Sequence, residues 1–171
     1  MIAKFLHTIM NSLGRYRLIP DRSTGADYLH RYYLFLKNRS WFPFNVTLHK
    51  IVQSDAPLFH DHPWSFFTII IKGGYYEWTP LVNQKGEKFG EIAKWRGPGS
   101  IILHKATDYH WLELEMNKPA VTLFFMGRRK RHWGFLVPMR NKKHRWIRND
   151  HYVNDWTDYH NTYIVPRSKT K

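Results

Sequence analysis

The 171-residue chain has no cysteine. That excludes disulfides, thiolate metal sites and a cysteine nucleophile, and it says little about compartment. Acids are scarce: 13 Asp and Glu stand against 27 Lys and Arg, a net charge of +14. Such a balance favours anionic partners or surfaces. Residues 1–13 are too short for a membrane span and lack a signal-cleavage pattern, so no membrane is expected and the setting is read as cytoplasmic. No repeat of solenoid length and no low-complexity linker interrupts the chain, which leaves one domain. What is abundant is aromatic: 17% of residues, within a hydrophobic share of 43%. That composition is globular and long enough for a sizeable core. Eleven histidines keep imidazole sites open.

Along the chain, Ile2, Phe5, Leu6, Ile9 and Leu13 fall at helical spacing with Gly14 as a C-cap, which predicts an N-terminal helix packed on the body. An anchor on a membrane surface is the sharper alternative. Residues 20–27 read as a loop. Short runs suited to strands follow at 31–36, 44–52, 75–79, 91–95, 100–104, 109–113, 120–126 and 132–137, with a central run between the second and third. Strands at roughly ten-residue spacing, divided by turn signals, predict an antiparallel sandwich or barrel. The domain divides into a helix and loop (1–30), a β-sandwich core (31–137) and a basic C-terminal extension (138–171). In that extension Asp150 could cap a last helix running to about residue 161.

The central run spans residues 58–74. It opens on His60-Asp61-His62, continues through Phe66-Phe67-Thr68-Ile69-Ile70-Ile71, and closes on Gly73-Gly74. In a strand, residues two apart share a face, so His60 and His62 project together, with Trp64, Phe66, Thr68 and Ile70 after them. Asp61 points the other way and caps or pairs locally. Two imidazoles side by side are half of a metal site.

These residues resemble the cupin superfamily. Its first motif is Gly, five residues, His-x-His, three or four residues, Glu, six residues, Gly. His60 and His62 match, and Gly73 or Gly74 closes the motif. Ser54 replaces the opening glycine, and Phe66 or Phe67 replaces the glutamate. The second motif is Gly, five residues, Pro-x-Gly, two residues, His, three residues, Asn. Gly99 and His110 stand at its separation, while Lys105, Thr107 and Leu114 depart from it. Pro98-Gly99-Ser100-Ile101-Ile102 is similar to the family's Pro-Gly-Asp-Val-Val opening, and 25 residues separate Gly73 from Gly99. The likeness covers residues 44–126. His-Asp-His-Pro-Trp, together with residues 127–135, also resembles small cupins of bacteria and their phages.

The resemblance implies an all-β double-stranded β-helix, or jelly roll, with His60, His62 and His110 converging inside it. Such a site suits Fe(II), Ni, Zn, Cu or Mn. The missing carboxylate gives a ligand set similar to that of three-histidine thiol dioxygenases, which favours Fe(II) and an oxygenase acting on a small anionic substrate. His104 is a spare ligand candidate. Glu77 could supply a carboxylate from the next strand or act as a base. Tyr75 and His62 could instead be drafted as the tyrosine and histidine that flank a sugar in a metal-free epimerase. Cupins also commonly dimerise through a sheet face, so a homodimer is expected. The alternative is a non-catalytic cupin that binds a ligand, a partner protein or nucleic acid.

Residues 128–148 carry nine Lys and Arg and no acid. With Trp146 and His144 interleaved, they could neutralise phosphates and stack bases, or form a solvated face. Arg128 or Arg131 could instead reach the pocket mouth and hold a substrate carboxylate bidentately.

Overall fold

The computed structural model describes residues 2–22, 24–37, 42–84, 87–138 and 144–154. In chain order its elements are α1 (Ile2–Ser12), β1 (Tyr16–Pro20), β2 (Asp27–Tyr33), β3 (Asn45–Ile51), β4 (Phe66–Lys72), β5 (Tyr75–Val82), β6 (Lys88–Arg96), β7 (Ile101–His104), β8 (Trp111–Leu114), β9 (Ala120–Met126), β10 (Gly134–Pro138), β11 (His144–Arg148) and α2 (Asn149–Asn154).

Six strands form one sheet in the order β1-β2-β3-β9-β4-β7; the rest form β6-β5-β8 and β10-β11. Every pairing is antiparallel. Residue 60 bridges to His110 just before β8 and to Phe135 in β10, which joins the two smaller sheets into one layer opposite the large one. This is the jelly-roll sandwich that the motifs imply.

Alternation builds the layers. In β3 and β9 every second residue is buried: Asn45, Thr47, His49 and Ile51 on one, Ala120, Thr122, Phe124 and Met126 on the other. Period-two patterning puts these on the inner face. Ile70, Ala120, Tyr75, Leu114 and Ile102 make the tightest apolar cluster. The inner face also carries buried polar residues, with Thr47, His49, Thr68 and Thr122 all under 9% exposed. Polar inner positions on central strands mark a lined cavity rather than a solid core.

The β4–β5 turn depends on Gly73. Its φ is +70°, and a Cβ there would lie 2.4 Å from the Pro119 carbonyl oxygen, so both the backbone angle and the space demand glycine.

Several elements differ from expectation. α1 buries Met10 and sets His7 against the rings of Tyr16 and Tyr32, while Phe5 and Leu13 stay 67% and 61% exposed. The helix thus packs through a narrower face than its apolar spacing suggests, because the His7–tyrosine contacts fix its rotation. The sheets also reach beyond residues 31–137. β1 adds an edge strand to the large sheet ahead of the expected 20–27 loop, which links β1 to β2, and β11 pairs with β10 in the second layer. Asp150 lies in the first turn of α2; the continuation expected to about residue 161 lies outside the described residues. No helix among the described residues is long and apolar enough to cross a membrane.

Candidate metal centre and its cavity

His60 and His62 do not sit in a regular strand: β4 begins only at Phe66. Their segment is held by the backbone instead. The His60 N–H donates to the His110 carbonyl at 3.0 Å and the His110 N–H returns a bond to the His60 carbonyl at 3.1 Å. The His62 N–H donates to Ala106 O at 3.2 Å. The expected geometry survives the missing strand. His60 and His62 share the inner side with Trp64, Phe66 and Thr68, all lining one cavity.

Ligand nitrogens of His60, His62 and His110 lie within 4.8 Å of one another. Nε2 of His62 is 2.9 Å from Nε2 of His110. Burial pushes the His60 pKa down to about 4, and burial with the neighbouring His110 pushes His62 well below the ordinary imidazole range. Neutral imidazoles are the ligand-competent form.

Glu77 stands behind this trio, 1% exposed. Its Oε1 faces His110 Nδ1 at 2.8 Å and His104 Nε2 at 2.6 Å, and its Oε2 accepts Arg96 Nε at 2.8 Å. Burial would raise its pKa, but the bonds from His104 and His110 outweigh it and hold the carboxyl below the usual range. An ionised carboxylate at Nδ1 places the His110 proton there and turns the Nε2 lone pair toward His62. Glu77, His104 and His110 also meet the distance test for a metal group. A cation there would have to displace hydrogen bonds on both carboxylate oxygens and approach the Arg96 guanidinium, so the chemistry favours the three-histidine group.

The cavity measures about 510 Å³ and runs from the trio to β1 and β2. Tyr75 lies on its wall; burial, then the Glu77 charge, push its phenol pKa up, so it keeps its proton. Glu77 and His104 do not line it; the His104 ring is turned inward, stacked on Phe66 and bonded to Glu77. Neither Arg128 nor Arg131 lines it. Arg128 is exposed. Arg131 is bound to Asp61 at 3.0 Å.

Asp61, between His60 and His62, points away from the cavity as expected and is fully buried. It accepts the Gly134 N–H at 2.7 Å and Trp146 Nε1–H at 3.0 Å. The basic segment is therefore partly engaged: Arg131 by Asp61 and Arg148 by Asp150. Arg140, Lys142 and Lys143 lie outside the described residues.

Three further arginines line the cavity: Arg17 and Arg31 from β1 and β2, and Arg22 at the His60 end, over the Trp133 and Phe135 rings that also flank His60. β1 carries a single charge, Arg17, on the face it shares with Ile19, and a lone arginine on a short strand reads as solvent-facing.

Two facing antiparallel sheets around an imidazole-lined cavity define a cupin fold. No protein-family model matches the chain, and no curated protein matches it. Among solved structures, the polyketide cyclase RemF from Streptomyces resistomycificus is similar at 14% identity and a TM-score of 0.51, over 85% of this chain and 89% of that one. A protein of unknown function with a cupin-like fold from Ralstonia eutropha is similar at 10% identity and a TM-score of 0.48, over 85% and 80%. The EutQ protein of Clostridium difficile is similar at 8% identity and a TM-score of 0.47, over 68% and 78%. At these identities the likeness concerns the fold alone.

Proposed function

We propose that the chain is a metal-dependent cupin that holds a divalent ion on His60, His62 and His110 and acts on a small anionic substrate in the adjoining cavity. The observation that carries this reading is the 2.9 Å approach of two Nε2 atoms, with His60 beside them, at the end of a cavity. Because Glu77 holds the proton on Nδ1 of His110, its Nε2 is an acceptor aimed at another ring nitrogen. Two nitrogens each about 2.0–2.1 Å from one ion stand about 2.9 Å apart at a right angle and about 3.3 Å apart at the tetrahedral angle. The separation is compatible with two imidazoles on one divalent ion; Fe(II) is the one we favour, with Ni, Zn or Mn as the others an imidazole set suits.

Bound Fe(II) would supply redox chemistry and open coordination positions, and an oxygenase is the activity we favour. The chain's own residues do the rest. Glu77 fixes the tautomer and orientation of His110. Tyr75, protonated, offers a hydrogen-bond donor to whatever lies in the cavity. Phe66, Trp64 and Phe124 keep water from its inner side. We further propose that a second copy covers the outer face of the large sheet, where Ile101 and Leu103 are 62% and 76% exposed.

Elemental analysis of the protein purified from its source host is the test. Close to one divalent ion per chain is expected. Metal-free native protein that refuses Fe, Ni, Zn and Mn on titration would overturn the reading.

A further inference from the structure

Arg17 and Arg31 are register partners on β1 and β2. Partners in an antiparallel pair share a face with Cβ atoms about 4.5–5.5 Å apart, and like charges placed so are destabilising. Both side chains line the cavity, Arg31 half-buried and Arg17 exposed at its mouth. Arg22, from the turn after β1, lines it too, its guanidinium 5.1 Å above Trp133 and 5.3 Å above Phe135.

Among the described residues, none of these three arginines is ion-paired with a carboxylate. The two acids that share the lining are engaged elsewhere. Asp55 accepts from the Tyr28 hydroxyl and the Leu112 N–H. Asp21 accepts the Thr24 N–H and hydroxyl.

Arg31 is also held in place. Its Nε donates to His49 Nε2 at 3.1 Å, and the Thr47 hydroxyl reaches the same nitrogen at 3.0 Å. Burial, then the Arg31 charge, keep His49 neutral and so able to accept. The Tyr33 hydroxyl is bonded to the same guanidinium, and the remaining terminal N–H groups are left to meet an oxyanion.

We propose that Arg17 and Arg31 form the head-group site for a compact, doubly charged oxyanion: a phosphate monoester or a dicarboxylate whose other end faces the histidine trio. One carboxylate would neutralise one of two adjacent guanidiniums; a dianion satisfies both. The placement opposite the trio rests on the metal reading, but the anion site does not.

The test uses metal-free, dialysed protein. Inorganic phosphate and succinate are titrated by calorimetry and by thermal unfolding, with acetate and chloride as singly charged controls at equal ionic strength. Saturable binding of phosphate or of succinate is expected, with acetate at least about tenfold weaker. Which dianion binds more tightly identifies the head group. Arg17→Gln and Arg31→Gln should each weaken binding at least about tenfold. Arg145→Gln, an exposed charge on β11, should change nothing. Should Arg31→Gln fail to fold, Arg17→Gln on the edge strand decides alone. No saturation by either dianion, acetate binding as well as the dianions, or unchanged binding in Arg17→Gln overturns the proposal. Ni(II) titration of the same proteins separates the two readings. Anion binding without metal uptake leaves this site standing and removes the metal, whereas metal uptake without anion binding removes only this site.

Discussion

Glu77 Oε1 bridges His104 Nε2 and His110 Nδ1, at 2.6 and 2.8 Å, from a position 1% exposed. The carboxylate thus meets His110 on Nδ1, the nitrogen opposite the one that faces His62, and does not itself line the cavity.

Its removal has a defined effect. Glu77→Gln keeps the shape but replaces a full acceptor pair with an amide, so the His110 tautomer is no longer fixed. Metal affinity should fall about 10–100-fold. Calorimetric titration with Ni(II) reads it, and an affinity equal to wild type would show that Glu77 does not position His110. Alanine at His60, His62 or His110 should abolish stoichiometric binding while the far-ultraviolet spectrum stays that of a β protein.

Phe66 and Phe67 occupy opposite faces of β4. Phe66 is 7% exposed and packs at 4.7 Å on Phe124, while Phe67 stacks at 4.2 Å on Phe125 on the outer face. Phe66→Ala should cost about 3–5 kcal/mol of unfolding free energy, the usual figure for a buried Phe, and Phe67→Ala distinctly less. Urea melts compare them; equal losses would contradict the assignment of faces.

Asp61 binds the second layer to the ligand segment through Gly134, Trp146 and Arg131. Asp61→Ala strands a buried N–H and a guanidinium, and should destabilise by about 3 kcal/mol, the low end for a broken buried pair because Arg131 is partly exposed. Arg131→Gln should likewise lower the urea midpoint, and it should leave phosphate and succinate affinity unchanged. A loss of anion affinity in Arg131→Gln would return that residue to the substrate-holding role its position in the sequence suggested.

Acid should weaken the metal-free protein. The unfolded His60 titrates near the ordinary histidine value of about 6.5, the folded one at about 4. Between these values the unfolded chain binds more protons, so stability is fully present above about pH 6.5 and falls as the pH drops toward 4. His62 and His49, also pushed down, act in the same direction. Urea midpoints at pH 7.5 and 5 measure it; a midpoint unchanged or higher at pH 5 would mean these imidazoles are not buried neutral.

The strand pattern, the glycine turn and the convergence of His60 with His62 were legible because each rests on local rules: period two, a left-handed turn, a two-residue spacing. His110 was legible only through motif spacing. The far wall was not. β1 is five residues at a sheet edge, and its inward Arg17 breaks the rule that inner positions are apolar. Arg31 does the same in β2. That both face a cavity follows from the sheet that β3 and β9 complete, which no local window reports. Glu77 was visible as a carboxylate on the right face, but its bonds to His104 and Arg96 depend on the pairing of β5 with β6 and on β7, across 19 and 27 residues of sequence.

The reciprocal main-chain bonds between residues 60 and 110 make the centre a socket whose pitch is independent of what is plugged into it. Any side chain placed at 60, 62 or 110 is delivered to the same spot by peptide groups. A carboxylate exchanged for one imidazole would then alter the hardness of the donor set and leave the frame untouched. On the proposed metal reading, drift in metal preference is open to single substitutions, and relatives carrying different residues at these positions on an unchanged frame are the expected trace of it.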